Sequence, residues 1–405
     1  MLNSKVNPSK YKGNELKYLR KVLRAESWSA TGGSWNQQLE KDFATKFESC
    51  YAVAMNSGTA TLHAALVALG VKPGDEVITP ALTVIMDTTA ILHANAIPVY
   101  VDIDEKTFNL DVRKVKEAIT AKTKAIIAVA LYGLPSNLTE LRKIADEHGL
   151  GLIEDNAQCY LSTFDGKLVG TFGDVSSWSF ENTKHISCGE GGIVTTNNED
   201  LAVKMRKFAG HGFKNLTAVE GRVRLRQEVF QDPHYKRHDS LGWNYRLPEF
   251  NAAVALAQLE RIEALVQMRQ NVAELFLDVL SQSEYFVPQK VSSNVTHSYY
   301  TLGVRYLGEN IGTFWKEFRS AYVEAGGDGI YGAWSVPYLE PIISYGTFRS
   351  HNPAIYESVF FKEGSCPVAE RIQPELMQFK TNYRSMRLAK SKAKILDKII
   401  KRILK

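Results

Sequence analysis

The chain is poor in the residues and runs that mark several classes of protein. It has four cysteines, which lie far apart and show no paired spacing. Such usage argues against a disulfide framework and against a zinc site. No apolar run approaches the roughly 20 residues that a membrane-spanning helix needs, and the N-terminus lacks the apolar stretch of a signal peptide. We therefore expect a cytoplasmic protein without a membrane span.

Signatures of two common enzyme types are also missing. No GxGxxG pattern follows an apolar strand, which disfavours a nicotinamide-dependent dehydrogenase. Nine histidines are scattered without metal-ligand spacing, so we expect no metal. A nucleophilic pair of Cys188 with His185 is an alternative, but such pairs are recognised by spatial geometry that a sequence does not contain.

The positive charge is concentrated at the C-terminal end. The net charge is +5, yet residues 384–405 contain nine Lys or Arg and one acid, a local charge of +8 that leaves the rest of the chain at −3. Apolar residues recur there at helical spacing. We expect a terminal helix with a docked apolar face and a solvated basic face, and no nucleic-acid partner. A membrane-surface helix is the alternative.

Strand and helix signals alternate between residues 52 and 200, which is typical of an α/β fold with a mostly parallel sheet covered by helices. The predicted strands are 52–55, 76–79, 98–103, 124–131, 151–155, 175–180 and 193–196. The predicted helices are 59–69, 80–93, 111–119, 138–148, 199–208 and 248–265, the last continuing from 266 to 281. A length of 405 residues predicts about two domains. We expect a large domain at 1–265 and a smaller C-terminal α+β domain at 266–405.

The most informative segment surrounds Lys184. The apolar strand at 175–180 ends near Ser179, Lys184 follows five residues later, and a Gly-rich turn at 189–192 leads into the next strand. Lysine forms Schiff bases once burial or a cationic neighbour has lowered its pKa. Its position between two strands predicts that Lys184 points to the carboxyl edge of the sheet, where open α/β sheets bind ligands.

A second strand, at 151–155, ends in Asp155 and is followed by Ala157 and Gln158. Pyridoxal phosphate needs a lysine for its aldehyde and an acidic partner for its ring nitrogen. Asp155 is the candidate partner, although it could equally cap the segment that follows. Ala157 is small enough for the ring to lie against it, and Gln158 could hydrogen-bond the ring hydroxyl. Together with Lys184, this segment predicts a pyridoxal-phosphate aminotransferase.

The turn that contains Gly58, Thr59 and Ala60 opens a predicted helix. Free backbone N–H groups and the helix dipole favour a phosphate there. The signal is weak alone, because Ser and Thr cap helices routinely. Ser179 could give its hydroxyl to the same phosphate as Thr59.

These segments occur together and in order in one known family. Over residues 20–405 the chain resembles the DegT/DnrJ/EryC1/StrS aminotransferases, fold-type I pyridoxal-phosphate enzymes that mostly aminate keto sugars. The matching motifs are Ser57-Gly58-Thr59-Ala60-Thr61, Gly74-Asp75-Glu76-Val77-Ile78-Thr79-Pro80, Pro98-Val99-Tyr100-Val101-Asp102-Ile103-Asp104, Tyr132-Gly133-Leu134-Pro135, Glu154-Asp155-Asn156-Ala157-Gln158, Ser179-Phe180 through Lys184 to Gly189-Glu190-Gly191-Gly192, and Asn244-Tyr245-Arg246.

The resemblance implies a role for each motif. Lys184 would bind the cofactor aldehyde and move a proton, Asp155 would pair with the pyridine nitrogen, and Gln158 with the ring hydroxyl. The phosphate site would comprise Gly58, Thr59, Ala60, Ser179 and, from the neighbouring subunit, Asn244. A homodimer with shared active sites follows from that last role. The implied substrates are an amino acid donor, with glutamate expected, and a keto-sugar acceptor linked to a nucleotide.

Two features bear on how closely the chain follows the family. In the family, the residue that follows the P-x-x-T motif is usually aromatic and stacks on the cofactor ring. In this chain, that position is Val84. Some relatives carry His in place of the lysine and dehydrate sugars, and here His185 stands beside Lys184. The spacing to the turn at 189–192 puts the lysine at the Schiff-base position, so we expect transamination. A cofactor-dependent sugar dehydratase and a non-catalytic regulator on the same fold are the alternatives.

Four loops are candidates for the acceptor site, and no residue in them identifies the sugar. They are residues 28–33, 213–240, 297–300 and 331–338.

Overall fold

The structure is a computed structural model that describes residues 10–25, 27–221 and 225–404. The strands are β1 Tyr51–Met55, β2 Glu76–Pro80, β3 Ile97–Val101, β4 Thr123–Val129, β5 Gly151–Asp155, β6 Thr163–Phe164, β7 Lys167–Leu168, β8 Val175–Ser179, β9 Gly192–Thr196, β10 Phe286–Pro288, β11 Leu302–Tyr306, β12 Tyr331–Gly332 and β13 Leu376–Phe379. The α-helices are α1 Glu15–Val22, α2 Trp35–Lys46, α3 Gly58–Ala68, α4 Ile85–His93, α5 Val112–Ala118, α6 Leu138–His148, α7 Glu199–Ala209, α8 Gln227–Gln231, α9 Glu249–Leu259, α10 Ile262–Leu280, α11 Trp315–Glu324, α12 Pro341–Ser344, α13 Pro353–Tyr356, α14 Pro367–Ile372 and α15 Met386–Ile403.

Seven strands form the central sheet, in the order β1-β9-β8-β5-β4-β2-β3. The strands β3, β2, β4, β5 and β8 pair in parallel, whereas β9 is antiparallel to both of its neighbours. The carboxyl ends of the parallel strands therefore meet at one edge. The predicted α/β fold with a mostly parallel sheet is confirmed.

Helices cover both faces of this sheet because its strands are apolar on both sides. All residues of β4 except Lys124 are buried. On one face, side chains of α3 and α4 such as Leu62 and Ile91 join the largest apolar core. On the other face, Leu141 and Ile144 of α6 pack against β4 and β5.

Polar residues inside β8 are satisfied by neighbouring elements. The Ser177 hydroxyl lies 2.7 Å from that of Thr61 on α3, and the Ser176 hydroxyl donates to the carbonyl of Gly170 at 3.1 Å. The first of these bonds joins α3 to β8, which matters because both border the site described below.

The later part of the chain forms a second, antiparallel sheet in the order β10-β11-β13-β12. Its core includes Phe276 of α10, Phe318 of α11 and Leu396 of α15. Several apolar residues of α15 are buried, among them Ile399 and Ile400. The predicted docked face of the terminal helix is thus confirmed, and so is a smaller C-terminal α+β region. The domain division at 265/266 stays a prediction.

Two predicted helices differ: α4, expected directly after residue 80, begins at Ile85. We expected an uninterrupted helix over 248–265, but α9 ends at Leu259 and α10 begins at Ile262. Apolar residues continue through the break, so periodicity alone does not reveal it. Within the described residues, no helix combines the length and apolarity needed to cross a membrane, and no group of His, Cys, Asp or Glu side chains could hold a metal ion.

Candidate active site

A cavity of about 440 Å³ opens at the carboxyl edge of the central sheet. Its volume lies in the range of small-molecule sites. Eight of the ten predicted site residues line it: Gly58, Thr59, Val84, Asp155, Ala157, Gln158, Ser179 and Lys184. Ala60 and Asn244 do not. Segments more than 120 residues apart in the sequence are thus brought together at one place.

The beginning of α3 forms one end of this cavity. Ser57 caps the helix, since its hydroxyl accepts the amide of Ala60 at 3.1 Å. Amides at the beginning of a helix have no intrahelical acceptor, so those of Gly58 and Thr59 remain for a ligand. A Cβ atom added to Gly58 would lie 3.0 Å from the Cβ of Ser179, so the glycine allows the two segments to approach closely. Ala60 is buried behind them, and its phosphate contact stays a prediction.

Asp155 is the last residue of β5 and is buried. Its Oδ1 accepts the amide of Ala157 at 2.9 Å, so the capping role considered above is present. Burial raises the pKa of the Asp155 carboxyl, against the opposing effects of that amide and of the Lys184 charge. A protonated ring nitrogen placed there would supply the partner that favours the ionised form.

A second buried carboxyl, that of Asp87 on α4, lies beside Asp155 and escaped the sequence analysis. The Thr83 hydroxyl donates to its Oδ2 at 2.6 Å. The pKa of Asp87 is raised well above its usual value by burial first and by the negative charge of Asp155 second. From the sequence, Asp87 is an ordinary acid in the first turn of a helix, and nothing in the pattern signals its neighbour.

Lys184 also lines the cavity. Its Nζ lies 4.5 Å from the centroid of the Tyr300 ring, a cation–π contact. The Tyr300 hydroxyl lies 2.7 Å from that of Thr183. The expectation that Lys184 and Asp155 face the same cavity is met by this arrangement.

The main chain of the Lys184 loop is held by two cations. The guanidinium of Arg269 donates to the carbonyls of Thr183 at 2.7 Å and Lys184 at 3.0 Å. Lys10 Nζ donates to the carbonyls of Asn182 at 2.6 Å and Lys184 at 3.3 Å. Burial lowers the pKa of Lys10 to about 8 and that of Arg269 to about 10. Neither cation was predicted, because both come from distant parts of the sequence.

Two further residues predicted to contact the cofactor ring, Gln158 and Val84, also line the cavity. Gln158 Oε1 accepts the amide of Tyr132 at 2.7 Å, which orients the side chain and leaves its NH₂ group as a donor. Val84 is the N-terminal flanking residue of α4 and is half-buried. It offers an aliphatic contact where the resemblance would lead one to expect an aromatic ring.

The nucleophilic alternative finds no support in the geometry. His185 is buried, its Nε2 lies 2.9 Å from the carbonyl of Ser298, and burial lowers its pKa well below the usual value. Cys188 donates its thiol hydrogen to the carbonyl of Glu190, and burial raises the thiol pKa to about 12. A thiol with that pKa stays protonated at neutral pH, so it is no nucleophile.

Two of the four loops proposed for an acceptor reach this cavity. Tyr300 comes from 297–300, and Ala333 and Trp334 come from 331–338. Residues from 28–33 instead line a much smaller cavity near Arg206 and Arg246. The described part of 213–240 contributes no side chain to the larger cavity, and residues 222–224 lie outside the described residues. Glu181, Thr183, Glu190 and Gln378 also line the cavity and were not predicted.

Lysine, a buried acid and a free helix terminus around one cavity match the three needs of pyridoxal phosphate: an amine for its aldehyde, an acid for its ring nitrogen and N–H groups for its phosphate. On this fold, they define a fold-type I pyridoxal-phosphate-dependent aminotransferase. A family model agrees, since the DegT/DnrJ/EryC1/StrS aminotransferase family matches residues 9–380, and the chain belongs to this family.

Similar proteins support the same class and cofactor. The chain is 37% identical over 303 residues to a GDP-perosamine synthase of Caulobacter vibrioides, covering 74% of this chain and 76% of that protein. It is similar to the crystal structure of an aminotransferase from Psychrobacter cryohalolentis, with a TM-score of 0.84, 29% identity and coverage of 96% and 97%. It is also similar to NtdA of Bacillus subtilis with bound cofactor PMP (TM-score 0.78, 25% identity, coverage 96% and 81%). The cofactor is pyridoxal 5′-phosphate.

Proposed function

We propose that this aminotransferase moves an amino group from an amino acid, with glutamate as the expected donor, to a keto group of a nucleotide-linked sugar. Products of this kind would enter the synthesis of amino sugars for surface polysaccharides such as lipopolysaccharide. The similar GDP-perosamine synthase supports a nucleotide-linked acceptor.

The lining of the cavity beyond Lys184 is the feature that supports a sugar. Trp334 is 52% exposed and lies on the same cavity as Tyr300 and Gln378. Flat aromatic faces suit the apolar face of a sugar ring, and a few placed polar groups fix its hydroxyls. The carboxylates of Glu181 and Glu190, also on this cavity, are acceptors for those hydroxyls.

Residues of the chain have defined tasks in such a transfer. When bound, pyridoxal phosphate supplies a ring that takes up the electrons released at a substrate Cα. Lys184 Nζ moves the proton at that carbon, and the Tyr300 ring at 4.5 Å limits where the ammonium can rest. Asp155 holds a proton at the ring nitrogen, Gln158 binds the ring hydroxyl through its NH₂ group, and the amides of Gly58 and Thr59 bind the phosphate.

The site is proposed to be completed by a second copy of the chain. Asn244 is exposed and lies beside two exposed apolar side chains, Leu241 at 87% and Trp243 at 53%. Exposed apolar groups next to a polar residue with an implied phosphate role favour coverage by a partner. A homodimer with Asn244 in the partner's phosphate site would account for the exposed apolar side chains and for the implied role of Asn244.

The dehydratase alternative is disfavoured by the two neighbouring side chains. Lys184 borders the cavity, whereas His185 is buried and bonded to the carbonyl of Ser298. A lysine able to reach the cofactor aldehyde favours amino transfer.

The test is to incubate the purified protein with pyridoxal phosphate, glutamate and a panel of nucleotide-linked keto sugars, GDP-linked sugars among them. We expect release of 2-oxoglutarate, detected with a coupled dehydrogenase, together with an aminated sugar seen by mass spectrometry. Lys184→Ala should abolish both, and Lys167→Ala, on exposed β7, should leave both unchanged. Loss of a sugar hydroxyl without 2-oxoglutarate would establish the dehydratase instead.

A further inference from the structure

Two carboxyl groups meet beneath the cofactor cavity. Asp87 is fully buried and Asp155 is 4% exposed, and each of the two side chains acts on the pKa of the other. Asp87 Oδ1 has no hydrogen-bond partner in the part of the chain that the structure describes. Two ionised carboxylates repel strongly in such a place, and a single proton between them removes the repulsion and satisfies the oxygen.

The surroundings favour one shared proton over none. The Thr83 hydroxyl donates to Asp87 Oδ2, so this residue cannot turn away from Asp155 without losing that bond. On the other side, Asp155 Oδ1 accepts the amide of Ala157. Each carboxyl therefore has one oxygen fixed by a donor of its own surroundings.

Few other charges act on the pair. Lys184 is the cation that lowers the pKa of Asp155. Cys159 and Tyr160 follow β5 and lie near Asp155, but burial raises the pKa of Cys159 to about 12 and that of Tyr160 well above its usual value, so both stay neutral. The pair with one proton has a charge of −1, which matches a protonated pyridine nitrogen above it.

We propose that Asp87 is a positioning residue for the cofactor: it keeps one proton shared with Asp155, donates a hydrogen bond to that carboxylate, and so holds it ionised and oriented toward the pyridine nitrogen. No bond to carbon forms or breaks in this role. The proton stays between the two carboxyls, and the second proton at the site belongs to the ring nitrogen.

Cofactor affinity distinguishes a shared proton from simple packing. The apoprotein of each variant is titrated with pyridoxal phosphate and followed by tryptophan fluorescence. Asp87→Asn keeps the size and an N–H donor, so we expect a Kd within about threefold of the wild type. Asp87→Leu keeps the size but removes the donor, and we expect the Kd to rise about 10- to 100-fold, the effect of one hydrogen bond to a charged group. Thr88→Val, on the same helix but bonded to Tyr100, is the control.

A pH series on the apoprotein tests the proton itself. An unfolded Asp loses its proton at a pKa of about 4, whereas the folded pair keeps one above that pH because the pKa of the pair is raised. The folded state then binds more protons than the unfolded state, so the free energy of unfolding falls as pH rises above about 4. We expect this fall in the wild type, in urea unfolding between pH 5 and 8, and a flatter profile in Asp87→Asn.

These measurements distinguish a shared proton from a purely structural role of Asp87. A steeper profile in the wild type than in Asp87→Asn, with weaker cofactor binding only in Asp87→Leu, supports the shared proton. Equal pH profiles in the two proteins overturn it. An Asp87→Leu protein that is less stable but binds the cofactor like the wild type would make Asp87 a structural residue only. If Asp87→Leu does not fold, Thr83→Val, which releases Asp87 Oδ2, replaces it and is expected to raise the Kd about threefold or more.

Discussion

Replacing Arg269 should both destabilise the protein and misplace Lys184, the proposed catalytic lysine. This guanidinium is buried, has no carboxylate among its hydrogen-bond partners in the described residues, and donates to the carbonyls of Thr183, Lys184 and Tyr300. It therefore joins α10 to the loop of Lys184. We expect Arg269→Met to break this link while keeping a side chain of similar length.

The magnitude follows from two opposing terms. Three hydrogen bonds from a charged donor are worth about 6 kcal/mol together. About half of this loss is offset, because the variant no longer has to desolvate a charged guanidinium that lacks an ion-pair partner. We expect the free energy of unfolding to fall by about 3 kcal/mol. A shift of Lys184 by about 1 Å would lower kcat on the order of 100-fold.

Urea unfolding of the apoprotein and steady-state kinetics of the holoprotein measure the two effects separately. Arg269→Lys keeps the charge with fewer donors, so its free energy of unfolding and its kcat should lie between those of the wild type and of Arg269→Met. Arg371→Met is the control, since its side chain and that of its partner Glu105 are 48% and 49% exposed, and a change below about 1 kcal/mol is expected for an exposed pair. Wild-type stability and kcat in Arg269→Met would refute this account of the loop.

Two other predictions address the buried ion pair and the subunit contact. Glu40 and Arg206 form a bidentate ion pair with both distances at 3.0 Å and side chains 8% and 6% exposed. Glu40→Ala should lower the free energy of unfolding, measured in urea, by about 3–5 kcal/mol, because it leaves the guanidinium buried without its partner. A loss under about 1 kcal/mol would contradict this expectation. If Asn244 serves the partner's site, Lys184→Ala and Asn244→Asp proteins should each be inactive, but unfolded and refolded together they should regain about a quarter of wild-type activity through mixed dimers. Activity equal to the sum of the two separate proteins would exclude the shared site.

The sequence was sufficient for the central sheet because most of its strands are short apolar runs bounded by turn residues. The strand at Gly151–Asp155 was predicted with its observed bounds, and the one at Glu76–Pro80 to within one residue. The break between α9 and α10 was missed, since Leu256, Leu259 and Ile262 are all buried and the apolar pattern runs through it. Local sequence patterns therefore predict the helices and strands but not every break within a helix.

The candidate site was predictable where its residues fall in motifs at strand ends and helix beginnings. Parallel strands bring such ends to one edge, so Lys184 and Asp155 could be placed together from order alone. Asp87, Lys10 and Arg269 act through contacts across 68 residues or more of sequence. Each also has an ordinary local explanation, as a helix acid or a solvated cation, and only the folded contacts show otherwise.

The two cations on the loop of Lys184 bind carbonyl groups and leave the lysine side chain untouched. The anchoring thus ends at the Cα atom, and the four methylenes beyond it keep their rotations. If Lys184 has its proposed role, rotation about these side-chain bonds is enough to bring the amine first to the cofactor and then to the substrate carbon, without any movement of the backbone.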